Sequence, residues 1–153
     1  MSNAVNGESH TPAKDLANVG LLIYRGDKKK LELLVRYNKS ESPRDYDIPK
    51  RTPRAGETAI ETAKRIGVES LRCLISDDEL DYRRSAIVEN EGLKVKVRLF
   101  MIKATSQLKD LAKVDEWRGW TYTFVPLSSF RERVWLHPDI GASASSLELL
   151  LKD

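Results

Sequence analysis

Cysteine and histidine are nearly absent from this 153-residue chain, which has one Cys (Cys73) and two His (His10 and His137). One thiol excludes an intrachain disulfide and a cysteine-based zinc knuckle. Two histidines exclude a His-rich metal site. A Ser/His/Asp triad would have to use His137, which sits in a loop before Pro138. Metal chemistry is left to oxygen ligands, hence to ions of the Mg²⁺, Mn²⁺ or Ca²⁺ kind. The lone thiol gives no sign of an oxidising compartment, so the reading is cytoplasmic. No apolar run approaches the roughly 20 residues needed to span a bilayer, so no membrane partner is expected.

What the chain does have is one domain's worth of residues. Its apolar fraction of 41% is enough for a core, and 32% of its residues are charged. Lys and Arg number 26 against 23 Asp and Glu, a balance of +3. Residues 1–16 are polar and without apolar periodicity, which reads as a flexible leader before a domain over residues 17–153. Val19–Arg25 and Leu31–Tyr37 are short apolar runs flanking Gly26-Asp27 and three lysines, the pattern of a β-hairpin. From Gly56-Glu57-Thr58 a helical pattern runs to about Ser70. Ala59, Ile60, Ala63, Ile66 and Gly67 recur at spacings of three and four on its apolar or small face. Glu61 and Arg65 stand at the i, i+4 spacing of an ion pair. Gly67 inside the pattern costs about 1 kcal/mol relative to Ala, and could instead end the helix.

Beyond the helix, Leu71–Ile75, Leu80–Val88, Leu93–Ala104 and Thr121–Val125 read as strands. In the third, Val95, Val97, Leu99 and Met101 alternate with Lys94, Lys96 and Arg98. Pro126–Arg133 reads as a short helix, and Ala142–Leu151 as a terminal one. The order predicts an α/β protein, a sandwich of helices around a mixed β-sheet.

The stretch Asp47-Ile48-Pro49-Lys50, then Gly56-Glu57-Thr58, then a helix with Glu61-Thr62-Ala63 and Arg65, resembles the Nudix hydrolases, whose fold is an α/β/α sandwich with a mixed sheet. Their pattern G-x5-E-x7-R-E-U-x-E-E-x-G-U lies over residues 51–73. Glu57 takes the first Glu, Arg65 the Arg, and Glu69 the first Glu of the pair. The departures are Arg51 for the first Gly, Ile66 for the Glu after Arg, Gly67 at the apolar position, Ser70 for the last Glu and Arg72 for the last Gly. An α-helix would put positions 66, 69 and 70 on one face. There the pattern calls for three carboxylates, and this chain offers Ile66, Glu69 and Ser70.

The downstream half, with Glu79-Leu80-Asp81-Tyr82 and Gly119-Trp120-Thr121-Tyr122, is similar to the diadenosine tetraphosphate hydrolases of that family. The resemblance implies hydrolysis of a nucleotide's diphosphate linkage with Mg²⁺ or Mn²⁺, which lower the pKa of a bound water. It implies Glu57 and Glu69 as metal ligands, and Glu57, Glu69 and Glu116 as the catalytic carboxylates. Lys50, Arg54 and Arg65 would meet phosphates, and Tyr82 a base. The degenerate pattern points to weak or lost hydrolysis. Two alternatives stand beside it: a binding module for a nucleotide or protein that needs no metal, and an active hydrolase with a rearranged metal site. Nucleic-acid binding is disfavoured, because acidic residues nearly cancel Lys28-Lys29-Lys30, Lys50-Arg51 and Arg83-Arg84.

Overall fold

A computed structural model describes residues 13, 15–27, 29–38, 46–80, 85–90 and 95–132. Tyr82, both histidines, Arg83-Arg84 and the expected terminal helix lie outside the described residues.

The long apolar runs become the middle of the sheet, since strands covered on both faces must be apolar on both. β1 (Leu16–Arg25) is buried from Val19 to Tyr24. It starts one residue before the expected domain boundary, and the Ala13 amide already bonds the Glu57 carbonyl at 2.9 Å. β2 (Glu32–Tyr37) returns antiparallel after a turn in which the Asp27 carboxylate accepts from the amides of Lys29 and Lys30. β3 is only Lys50–Arg51, paired to the start of β1 with Val19 opposite Arg51. β4 (Ser85–Asn90), β5 (Val95–Lys103) and β6 (Thr121–Pro126) complete a six-stranded sheet among the described residues. Its order is β4-β5-β1-β2-β6, with β3 off the path against β1. β1 and β5 run parallel and the other pairs antiparallel, so the sheet is mixed as expected.

α1 (Ala59–Ile66) and α2 (Ser106–Leu111) cover one face. Ala59, Ala63, Ile66, Leu108 and Leu111 pack there with Leu21, Ile23, Leu34, Phe100 and Ile102. Leu22, Leu33, Val35, Ile48, Leu99 and Met101 form a second cluster on the other face. α2 was not expected from sequence. It is one and a half turns, started by the Thr105 hydroxyl accepting from the Leu108 amide. The short helix expected after β6 forms as 3₁₀ turns over Leu127–Glu132.

α1 begins where the sequence placed its start, at a reciprocal cap. The Thr58 hydroxyl accepts from the Glu61 amide at 3.1 Å, and the Glu61 carboxylate accepts from the Thr58 amide at 3.0 Å. Glu61 therefore serves the cap and not the expected pair with Arg65. At Gly67 the helix widens into one π-helical turn (Gly67–Leu71), which Arg72 closes in the left-handed region at φ 50°. Gly67 has a steric reason: a Cβ there would lie 2.5 Å from the Cys73 carbonyl oxygen. The expected strand Leu71–Ile75 does not form. Its period-two signal is real, since Leu71, Cys73 and Ile75 are buried while Arg72 and Leu74 are exposed. That alternation packs a segment back against the helix end, where the Cys73 amide donates to the Gly67 carbonyl at 2.8 Å, and the segment has no ladder partner among the described residues.

No helix among the described residues is long and apolar enough to cross a membrane.

Candidate functional site

The start of β1, β3, the end of α1 and the loop before β6 enclose a cavity of about 580 Å³. Its walls include Arg36, Asp47, Lys50, Arg51, Arg65, Glu69, Ser70, Arg118, Trp120 and Tyr122. Among these are five cationic side chains and two carboxylates, an excess of three positive charges. The whole chain's balance is also +3, so the surplus of the molecule is matched in one cavity. A concave site focuses such a field on an anion.

Glu57 and Arg65 form the inner support. Arg65 Nε donates to Glu57 Oε2 and Nη2 to Oε1, each at 3.0 Å. Glu57 Oε1 also accepts from the Thr62 hydroxyl at 2.7 Å and the Arg54 amide at 3.0 Å. Both oxygens are thus engaged. The Arg65 hydrogen bonds, ahead of the Arg54 amide and Thr62 hydroxyl, hold the Glu57 carboxyl at about 2 against an ordinary 4.5, although burial opposes them. The same hydrogen bonds, donated to Glu57, raise Arg65 above its ordinary value. Arg65 Nη2 further donates to the Thr52 carbonyl at 2.9 Å, tying α1 to the chain after β3.

Glu69 is surrounded by guanidinium groups. Arg65 Nη1 lies 3.3 Å and Arg51 Nε 3.7 Å from its Oε1, and Arg54 Nη2 lies 3.4 Å from its Oε2. Arg51 Nε also donates to the Ser70 hydroxyl at 3.1 Å. The loop before β6 holds the π turn from outside. There Trp117 Nε1 donates to the Ser70 carbonyl at 3.0 Å and Arg118 Nη1 to the Glu69 carbonyl at 2.6 Å. These are carbonyls that a helix end leaves without intrahelical partners. The loop is a two-residue turn with Arg118 at φ 53° and Gly119 at φ 86°, between mutually bonded Trp117 and Trp120.

The far wall is aromatic and buried. The Arg36 guanidinium stacks over the Trp120 ring at 4.2 Å and bonds Asp47 Oδ2 at 3.4 Å. Lys50 pairs with the other oxygen of Asp47. Arg36 Nε is buried without a hydrogen-bond partner among the described residues. Tyr122, 2% exposed, completes this wall.

Of the residues singled out in the sequence, Lys50, Arg65 and Glu69 line the cavity. Glu57 stands behind Arg65, and Arg54 reaches Glu69 with a side chain 66% exposed. Glu116 is exposed on the loop and is not part of the cavity wall. The predicted three-residue face is corrected too. Ile66 is fully buried in the core, while Glu69 and Ser70 line the cavity. The π turn beginning at Gly67 breaks the α-helical spacing on which that face depended.

These residues do not fit a divalent ion. Mg²⁺ needs several free oxygens in octahedral geometry. Here Glu57 is bonded by Arg65, Glu69 is ion-paired with Arg51, Arg54 and Arg65, and Asp47 is ion-paired with Arg36 and Lys50, and all of these cations would repel it. Glu57, Glu69 and Glu116 do not gather into a ligand set, and no group of three or more His, Cys, Asp or Glu among the described residues is placed to hold a metal.

Sequence reasoning passed over Arg36, Asp47, Arg118, Trp120 and Tyr122 as site residues, and read Arg51 as a departure from the pattern and as half of a basic pair. One signal was available: Arg36 is the lone charge inside the run Leu33–Tyr37, and a charge within a sheet centre needs a partner.

No protein-family model and no curated protein sequence matches this chain. Solved structures do. A Nudix hydrolase from M. smegmatis, RenU, is 15% identical over 89% of this chain and 86% of its own, with a TM-score of 0.60. A C. elegans Ap4A hydrolase binary complex is 21% identical over 88% of this chain and 97% of its own, with a TM-score of 0.57. The E. coli dihydroneopterin triphosphate pyrophosphohydrolase is 14% identical over 86% and 94%, with a TM-score of 0.55. The chain has the Nudix fold.

Proposed function

From this Nudix fold and its arginine-lined cavity, we propose that the chain binds a nucleotide through its diphosphate linkage, with hydrolysis weak or lost. One observation carries the reading: Glu69, the carboxylate left where the Nudix pattern has a cluster, is bonded to Arg51, Arg54 and Arg65. Three guanidinium groups around one carboxylate compete with a metal ion for its oxygens and repel the ion's charge. The same guanidinium groups are suited to phosphate, because a planar fork donates two parallel hydrogen bonds to two oxygens of one group.

The aromatic wall supports a nucleotide over a bare phosphate ion. Trp120, with the Arg36 guanidinium stacked on it, lines the cavity beside the cations, and aromatic and guanidinium planes are surfaces on which nucleobases stack. Two structural neighbours point the same way, being named as hydrolases of Ap4A and of dihydroneopterin triphosphate. Lys50, Arg54 and Arg65 keep their expected role toward phosphate. Mg²⁺ and Mn²⁺ have no role in this reading.

The test pairs turnover with binding. The full chain is assayed against diadenosine tetraphosphate, NADH and ADP-ribose with Mg²⁺ and with Mn²⁺, and each is titrated by calorimetry. Micromolar binding without turnover above background is expected. Sustained hydrolysis that Glu69→Gln abolishes would overturn the proposal in favour of a rearranged active site.

A further inference from the structure

We infer that Arg51 acts as a tethered cation in place of a divalent ion, so that the cavity takes its ligand's phosphates as the metal-free anion, which displaces Glu69. The inference rests on the nucleotide reading above and specifies how that site works.

The first observation is that two departures from the Nudix pattern meet in space. Arg51 stands where the pattern has Gly, and Ser70 where it has Glu. They lie 19 positions apart, and Arg51 Nε donates to Ser70 Oγ at 3.1 Å. Gaining a guanidinium and losing a carboxylate shifts the local charge by two positive units, the charge a dication would bring. β3 makes this possible. Its pairing with β1 fixes Arg51 opposite Val19, at the cavity wall.

The second observation is the looseness of the Glu69 contacts. They span 3.3 to 3.7 Å, and the Glu69 side chain is 35% exposed. Ion pairs of that kind contribute little. A diphosphate brings more charge and more acceptor oxygens than one carboxylate, and takes the same donors bidentately. Glu69 is then a resident stand-in, keeping the arginines together until the ligand arrives. Arg65 need not move, because its bonds to Glu57 and to the Thr52 carbonyl leave Nη1 directed at Glu69.

The experiment is calorimetric titration of the full chain with ADP, in EDTA and in Mg²⁺, with adenosine as the phosphate-free control. Three predictions follow from the tethered cation. ADP binds in EDTA at least as tightly as in Mg²⁺, which competes for the phosphates. Arg51→Gln weakens ADP in EDTA about tenfold. Glu69→Gln tightens it threefold or more, a gain that misfolding cannot produce and that decides the matter if Arg51→Gln fails to fold. Binding that requires Mg²⁺, or that Glu69→Gln weakens, would overturn the inference and leave the nucleotide reading standing. No ADP binding in either buffer would remove both.

Discussion

The two carboxylates that flank Arg65 have opposite fates. Glu57, before the helix, is 13% exposed in its side chain and bonded at 2.7 to 3.0 Å by a hydroxyl, an amide and a guanidinium. Glu69, in the π turn, is 35% exposed and held only by longer contacts. Burial separates them. A half-buried pair bonded on every side fixes geometry, because breaking it strands a charge away from water. A carboxylate at a cavity wall can exchange its partners with a ligand at little cost. The first end of the Nudix-like segment is therefore a strut, and the second is a surface where chemistry can change. Two of the departures from the pattern, Arg51 and Ser70, meet in space beside this second carboxylate.

The strongest way to break that contrast is to try to restore the pattern at position 66. Ile66 is fully buried against Ala63, Leu34 and their neighbours. Ile66→Glu should not create a metal ligand. It should cost more than about 3 kcal/mol by burying an unpaired carboxylate, read by urea unfolding. Mn²⁺ binding by a folded Ile66→Glu protein would contradict the placement of that side chain.

The strut should show itself in acid. The Glu57 carboxyl is lowered from 4.5 to about 2, so its stabilisation is complete above 4.5 and is lost as the pH falls through 2. The stake is about 3 kcal/mol. Unfolding free energies between pH 6 and pH 2.5 should decline in the parent, and Glu57→Gln should be less stable at pH 6 and flatter below it. An unchanged slope in Glu57→Gln would assign the acid sensitivity elsewhere.

The smallest effect belongs to the exchangeable end. Arg54→Ala removes a side chain 66% exposed, and should change stability by less than about 0.5 kcal/mol. Equal destabilisation by Arg54→Ala and Glu57→Gln would erase the distinction between the two carboxylates.

Legibility followed locality. The hairpin of β1 and β2, the start of α1 and the shared face of Val97, Leu99 and Met101 in β5 depend on nearest neighbours, and the sequence carried them, although Arg98 on the other face is buried too. The Arg65 partner was misread because two carboxylates compete for it. Glu61 has the right spacing, yet its carboxylate closes the Thr58 cap while Glu57 reaches Arg65 from outside the helix. Leu71–Ile75 was misread as a strand because alternation reports one buried side and not a ladder. The cavity's aromatic wall was missed because Arg36 and Trp120 are 84 positions apart and meet only through the pairing of β2 with β6.

By itself the sequence determined the chemistry available: almost no thiol or imidazole, a small cationic surplus, and a Nudix-like segment with its carboxylates thinned. Composition and local spacing suffice for that. Where the charges went was decided by the tertiary structure. β3 pairing set Arg51 against Ser70, the π turn at Gly67 separated Ile66 from Glu69, and the turn at Gly119 brought Arg118 onto the helix end. Charges act through distance, and distances between remote residues exist only once the sheet has closed around them.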